Sequence, residues 1–392
     1  MTTAPARGDT VAGRARPEYD PAGIRMGGFF FYPSFALAEI YRDNIFYEDD
    51  DPESDFETVA TAAVKVGSNW NNHALNFYGD VNVGRFLDND IADYEDFRVG
   101  TNGRLDIQRD LSLAGGLVYE RLHEDRSSPE QGADEPTIYT RYGPDVALTK
   151  RFNRLVTQVG GSMLFFDYDD VTTVNGVLIN NDDRDRTVST GFGRVGYEFS
   201  PNYQAFVRVS GNDRTYEDDV DDNGLSRDSQ GWEAVGGVAL DLGGLVFGEL
   251  FAGYLSQDYD AAQLDRISSV SFGGEVTWNV TPLTTIVGSL SRAVEETTIG
   301  NASGALATNA GVSVDHELLR HVIVSADASY RTVEFENIDR DDDIMNVGVG
   351  ARYLLNRNVN FQVRLSHAER DSTSVNNDYE ANTALLRIVL QR

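Results

Sequence analysis

Long stretches of this chain alternate between apolar and polar positions with a period of two. From Leu75 to Val83 the set Leu75, Phe77, Gly79, Val81 and Val83 opposes Asn76, Tyr78, Asp80 and Asn82. The next run sets Phe97, Val99, Thr101, Gly103, Leu105 and Ile107 against Arg98, Asn102, Arg104, Asp106 and Gln108. Late in the chain Val322, Val324, Ala326, Ala328 and Tyr330 oppose Ser325, Asp327, Ser329 and Arg331, and Val359, Phe361, Val363 and Leu365 oppose Asn360, Gln362, Arg364 and Ser366. A two-residue period sends successive side chains to opposite faces of a strand, so these runs predict strands with one oily and one wet side. No 3.6-residue stripe competes with them. The first run, Phe29 to Tyr41, is ambiguous, with aromatics on both faces and Glu39 in phase with Phe35.

Turn formers punctuate the runs at two kinds of interval. Short turns fall at Asn69-Trp70-Asn71-Asn72, Arg109-Asp110, Arg151-Phe152-Asn153, Ser200-Pro201-Asn202, Leu242-Gly243-Gly244, Thr281-Pro282, Asp315-His316-Glu317 and Leu355-Asn356-Arg357-Asn358. Longer connections centre near Asp50, Asn89, Ser128, Asn180, Asp221, Asp260, Gly300, Asp341 and Ser374. Together these connections imply about eighteen strands, with both termini on the short-turn side, and predict an all-β, antiparallel up-and-down transmembrane barrel with short periplasmic turns and longer acidic extracellular loops. A soluble sandwich or propeller also alternates, but its strands are usually about 5 to 6 residues long, whereas these reach the roughly 9 to 11 needed to cross a bilayer at a tilt. Tyr119, Tyr168, Tyr203, Tyr254, Trp278 and Tyr353 lie near strand ends, where interfacial girdles form.

Composition removes other classes. The 392 residues carry no Cys, so there is no disulfide framework and no thiolate site. The longest apolar run, Phe29 to Ala38, contains Pro33 and is half the roughly 20 residues of a spanning helix. Lys and Arg number 33 against 63 Asp and Glu, and a net charge of −30 argues against a nucleic-acid partner. Met1 to Gly27 is rich in Arg, Pro and Gly and lacks the apolar core of a signal peptide, so residues 1–27 are expected to be an extended or disordered periplasmic lead-in, and residues 28–392 the barrel.

The stretch from Pro17 to Phe46 resembles the opening of the proteobacterial outer-membrane family called putative β-barrel porin 2. Pro17, Glu18, Tyr19, Asp20, Pro21, Gly23, Ile24 and Arg25 match its lead-in, Asp43, Asn44, Ile45 and Phe46 match the end of its first strand, and the turn from Ser68 to Phe77 is similar. The resemblance implies an outer-membrane location and an association with exopolysaccharide or capsule production, and it assigns no transported substrate. One departure stands out: many such barrels end on an aromatic residue, and this chain places Arg392 after Leu386, Ile388 and Leu390.

Signals for chemistry are sparse. Gly191, Gly193 and Gly196 spell a dinucleotide fingerprint, but inside a strand, where no helix start can receive phosphate. Asp219, Asp221, Asn223 and Gly224 match the first half of a calcium loop, yet Gln230 stands where the bidentate Glu belongs, so only weak divalent binding is expected there and in the other acidic loops. The five histidines show no metal spacing, and there is no nucleophile elbow. Neither an enzyme nor a cofactor is expected.

What remains is the lumen. Lys65, Asp80, Arg98, Arg104, Asp106, Glu120, Arg208, Asp327, Arg331, Arg364 and Arg387 fall in the inward phase, where mixed charge either sets solute preference or braces the wall. Two functions follow. One is a passive channel for hydrophilic solutes or a polysaccharide strand; the other is a plugged barrel that engages surface polymer or a periplasmic export partner. In either case outer-membrane lipid and lipopolysaccharide are the expected surroundings.

Overall fold

In the computed structural model, which describes residues 9–130, 135–172 and 178–392, eighteen strands of 12 to 15 residues form the molecule. The first six are β1 (Phe29–Arg42), β2 (Asp55–Ser68), β3 (Ala74–Phe86), β4 (Tyr94–Gln108), β5 (Leu111–His123) and β6 (Ile138–Phe152). Then come β7 (Leu155–Tyr168), β8 (Arg186–Ser200), β9 (Tyr203–Tyr216), β10 (Ser229–Asp241), β11 (Val246–Tyr259) and β12 (Ile267–Thr281). The last six are β13 (Thr284–Glu295), β14 (Ala305–Leu319), β15 (Val322–Phe335), β16 (Arg340–Leu354), β17 (Val359–Ser372) and β18 (Tyr379–Gln391). Each pairs antiparallel with its neighbours in sequence, and β1 pairs with β18 (Phe35 opposite Leu390, Arg42 opposite Thr383), so the sheet has no free edge. Closure satisfies every ladder, the condition a sheet must meet in lipid. A 14-residue strand spans about 45 Å along its axis, enough at a tilt for an apolar band about 25 Å tall.

The outer face is apolar, as the alternation requires. Phe77, Val81, Phe97, Val99, Val195, Val207, Val209, Val349, Val363 and Leu365 are all exposed on it. In β1 the ambiguity resolves toward Phe35, Leu37 and Tyr41 outside, while Ala38 and Ile40 pack inward on Val59 and Leu385. Glu39 is therefore outward too, and its carboxylate accepts a hydrogen bond from Thr58 Oγ1 at 2.8 Å. Of the expected girdle residues, Tyr119, Tyr203, Tyr254, Trp278 and Tyr353 are exposed. Tyr168 is not: it faces inward, stacks on Tyr139 and lies under the Arg184 guanidinium. Its even position on β7 puts it in the opposite phase from exposed Met163 and Val159.

Two connections differ from the sequence expectation. The turn placed at Asp315-His316-Glu317 lies instead at Arg320 and His321, because β14 continues through Leu319. Its polar residues are wall residues: His316 Nδ1 meets Thr284 Oγ1 at 2.9 Å, and Glu317 is buried against Arg16. The connection near Asp341 is a tight turn over residues 336–339, and Asp341 to Asp343 belong to β16. Register shifts at Asp106/Gln108, Glu198/Ser200, Asn279/Thr281 and Glu317/Leu319 all sit at the short-turn end, where an extra residue lets a tight turn join strongly twisted strands.

The described part of the lead-in does not trail away. Val11 is fully buried and its N–H donates to Thr285 Oγ1; Arg16 donates to Glu317 at 2.7 Å; Pro17 O accepts from Arg357 Nε. It thus follows the inner short-turn rim from β13 to β17. A short strand, Ile24–Met26, then pairs with Phe29 to Phe31 and continues the wall just below Arg392, whose N–H donates to Pro33 O.

Candidate functional site

All eleven lumen candidates lie on the inner face, opposite in phase to the exposed apolar residues of their strands. Eight are bound in ion pairs. Glu120, almost wholly buried, takes Arg98 Nε at 2.7 Å and also Arg141 from β6, while Arg364 clamps Asp327 through two bonds at 2.6 and 2.8 Å. Arg331 pairs with Glu295, Arg208 with Glu233 and Arg104 with Asp106. Asp80 accepts from Asn82, Lys65 is exposed to the lumen, and Arg387 Nε is buried without a hydrogen-bond partner. Each partly wet pair contributes little stability, so its main effect is to fix a guanidinium in place. Aromatic rings add to this: Arg194 lies 3.7 Å from the centre of Phe206, and Arg208 lies 4.6 Å from that of Phe251.

The feature hidden from the sequence is a strap. Residues 124–130, which follow β5, turn in across the barrel. Glu130 accepts bonds from the Thr297 hydroxyl, the Thr298 N–H (3.2 Å) and the Thr298 hydroxyl (3.1 Å). Those threonines follow β13, eight strands from β5 in a ring of eighteen, so the loop reaches nearly across the mouth. Its root is tied down as well, because Arg370 of β17 donates to Ser127 O at 2.8 Å and Arg184 pairs with Glu124 at 2.7 Å. Beside the strap lies a half-open chamber of about 440 Å³, walled by β7 to β9, β13 to β18 and the strap itself.

Other outer loops interlock around it. Arg227 is buried and pairs with buried Asp221 (2.7 Å from Nε), and it also donates to the carbonyls of Thr297, Gly300 and Ala302. Of the residues in the calcium-like loop, Asp221 is engaged within the protein: its Oδ1 accepts from the N–H groups of Asn223 and Leu225, and its other oxygen faces the Arg227 guanidinium. Among the described residues no group of three or more His, Asp or Glu is placed to hold a metal ion. Gly191, Gly193 and Gly196 lie within β8, as the strand reading requires.

Carboxyl groups gather where the loops after β7 and β9 meet. Asp185 accepts from Tyr168 N–H at 2.6 Å, yet burial, reinforced by Asp167, Asp182 and Glu217, pushes its carboxyl up to about 6. A raised value means the folded form holds the proton more tightly than the unfolded chain, so this group favours folding at low pH and loses that contribution as pH rises through about 6. Thermal or urea unfolding from pH 4.5 to 7.5 should therefore show a smaller fall in stability with rising pH in Asp185→Asn than in the natural chain. Parallel pH profiles would show that Asp185 is not the titrating group.

A closed antiparallel wall, apolar outside and charged within, defines an outer-membrane type of β-barrel. Residues 16–392 match the family described as putative beta-barrel porin 2, and the chain belongs to that family. The family is one of outer-membrane porins, the barrel lies in the bacterial outer membrane, and the lead-in packs at the short-turn end. Among solved structures, the outer membrane protein OpdK of Pseudomonas aeruginosa is similar at 14% identity and TM-score 0.46, over 92% of this chain and 99% of that one. OpdO of the same organism is similar at 15% and 0.47, over 93% and 97%, and OccAB4 of Acinetobacter baumannii at 12% and 0.49, over 94% and 99%. No curated protein sequence matches the chain.

The sequence reading named none of the residues at the strap: Glu130, Thr297, Thr298, Arg184 and Arg370 are absent from its candidates. One signal was available, since Arg184 and Arg186 are basic residues within the acidic run Asp182 to Asp185 and at the start of β8.

Proposed function

We propose that the protein is a passive conduit for small hydrophilic solutes, narrowed at its extracellular half by the strap. The observation that carries this reading is a charged, ion-paired inner wall facing a chamber of about 440 Å³ beside the strap. A strand number of eighteen leaves an aqueous interior unless the chain fills it. No cofactor enters into the reading, and lipopolysaccharide with its divalent ions would surround the outward carboxylates near the loop ends, such as Asp371 and Glu380. Nothing in the site favours a polysaccharide strand over small solutes, because the strap is latched across the mouth.

A second reading, a plugged barrel that serves as an interaction platform, draws on the same strap together with the lead-in packed on the periplasmic rim. Single-channel recording in planar bilayers separates the two: stable conductance steps support the conduit, and silence supports the plug. In the conducting protein, Arg98→Glu combined with Arg104→Glu should move the reversal potential toward cation preference. Arg104 is the more exposed of the two, so it carries the cleaner part of the shift. An unchanged potential would remove both residues from the permeation path.

A further inference from the structure

Charges around the strap chamber are nearly all matched within the protein. Arg184 pairs with Glu124, Arg331 with Glu295, and Arg214 with Glu296. Asp342 pairs with Arg340. Against this background four chamber residues stand apart, and of these Asp125 accepts from the Ser127 N–H and hydroxyl without an ion pair among the described residues. Arg186 has no carboxylate within ion-pair distance among the described residues. Its Nη1 donates to the Arg184 carbonyl at 2.7 Å, its guanidinium rests against the rings of Phe166, Tyr168 and Tyr216, and its Nε is buried with no hydrogen-bond partner. Arg370 is likewise without a carboxylate; it lies over Tyr379 and donates only to the carbonyls of Asn377 and Ser127. Glu130 is the converse: its carboxylate is held by threonine groups and among the described residues forms no ion pair, the Arg184 guanidinium acting on it only from beyond ion-pair distance.

A buried or half-buried charge without a counter-charge is costly, and a carboxylate or guanidinium fixed by neutral donors and rings has already lost the freedom it would otherwise give up on binding a partner. Here both signs are left uncompensated on the walls of one chamber. A solute of one sign would satisfy one wall and be repelled by the other, whereas a solute bearing a carboxylate and an ammonium satisfies both. The aromatic faces of Tyr168, Tyr216 and Tyr379 supply apolar surface between the poles. The chamber volume of about 440 Å³ accommodates an amino acid or a short peptide.

We propose that this chamber is a binding station for small zwitterions of the amino-acid and short-peptide class, with Arg186 receiving the carboxylate and Glu130 the ammonium. The proposal deepens the conduit reading and rests on it for its role in permeation, but binding itself can be measured without conduction.

The test uses the full chain in detergent micelles, with calorimetric titration of four probes that differ only in end charge: Ala-Ala, N-acetyl-Ala-Ala, Ala-Ala amide and the doubly blocked form. The zwitterion should bind at least about tenfold more tightly than either singly charged form, since each charge-assisted contact is of the order of one such factor. Arg186→Gln should abolish its advantage over the amide, and Glu130→Gln its advantage over the acetylated form. Retention of a heat-modifiable compact form on gels shows that each variant still holds its barrel. An order in which the acetylated dipeptide matches or exceeds the zwitterion would overturn the proposal in favour of a plain anion site, and no binding by any probe would overturn it outright. Planar-bilayer recordings of the same preparation report on the conduit independently: conductance without binding sinks only the station, and binding without conductance sinks only the conduit.

Discussion

Replacing residues 124–137 with a four-residue Gly-Asn-containing turn is expected to raise single-channel conductance several-fold and to weaken discrimination between small and large neutral solutes. The argument is geometric. An eighteen-stranded wall encloses far more cross-section than a hydrated small solute needs, so conductance is set by whatever narrows it most. The strap is held at two further points, by Glu130 on Thr297 and Thr298 and by Ser127 on Arg370, so opening it must break these contacts. Glu130→Gln keeps an oxygen to accept from the threonines and should change conductance much less than the deletion. Liposome swelling with sugars of increasing size gives the second readout. If the deletion leaves conductance where it was, the constriction lies elsewhere, and the lead-in on the periplasmic rim becomes the candidate.

The largest stability effect is expected at Arg227. Its side chain is 1% exposed and that of Asp221 fully buried, and the guanidinium also satisfies three carbonyls of the loop after β13. Truncating it strands a buried carboxylate and unpairs those carbonyls, a change that typically costs about 3 to 5 kcal/mol. In Arg227→Ala the amides of Asp221 to Leu225 and of residues 296–304 should exchange at least about a hundredfold faster, while the strand ladders keep their protection, because loop opening and barrel unfolding are separate events. Asp221→Leu combined with Arg227→Leu should recover part of the loss by removing both charges together. Unchanged exchange in Arg227→Ala would mean that other contacts hold the mouth. Protection that rose with added calcium in the natural chain would return Asp219, Asp221 and Asn223 to the role of ligands.

Most of the wall was legible because a membrane barrel writes its fold locally. Each strand must alternate, each face meets a different solvent, and each hairpin closes on its nearest neighbour in sequence, so Phe97 outside and Arg98 inside follow from one short window. The errors share a cause. Asp315, His316 and Glu317 were read as a turn because polar runs normally face water, yet Glu317 is a buried anchor for Arg16, 301 residues away in the chain. The anchoring of Asp221 is hidden for the same reason, since the spacing of its loop is local, whereas the Arg227 contacts to residues 297–302 are not.

By itself, then, the sequence determined the strand count, the antiparallel hairpin order, the two-faced wall and the inward position of the charged residues, all properties that depend on a period of two and on neighbours a few residues apart. Tertiary structure alone decided which inward charges neutralise one another, that the strap reaches Thr297 and Thr298, that the lead-in lines the short-turn rim, and that Arg186, Arg370 and Glu130 form no ion pair among the described residues. Those outcomes depend on which side chains meet across a cylinder, where the partners lie up to some three hundred residues apart and no local pattern records them.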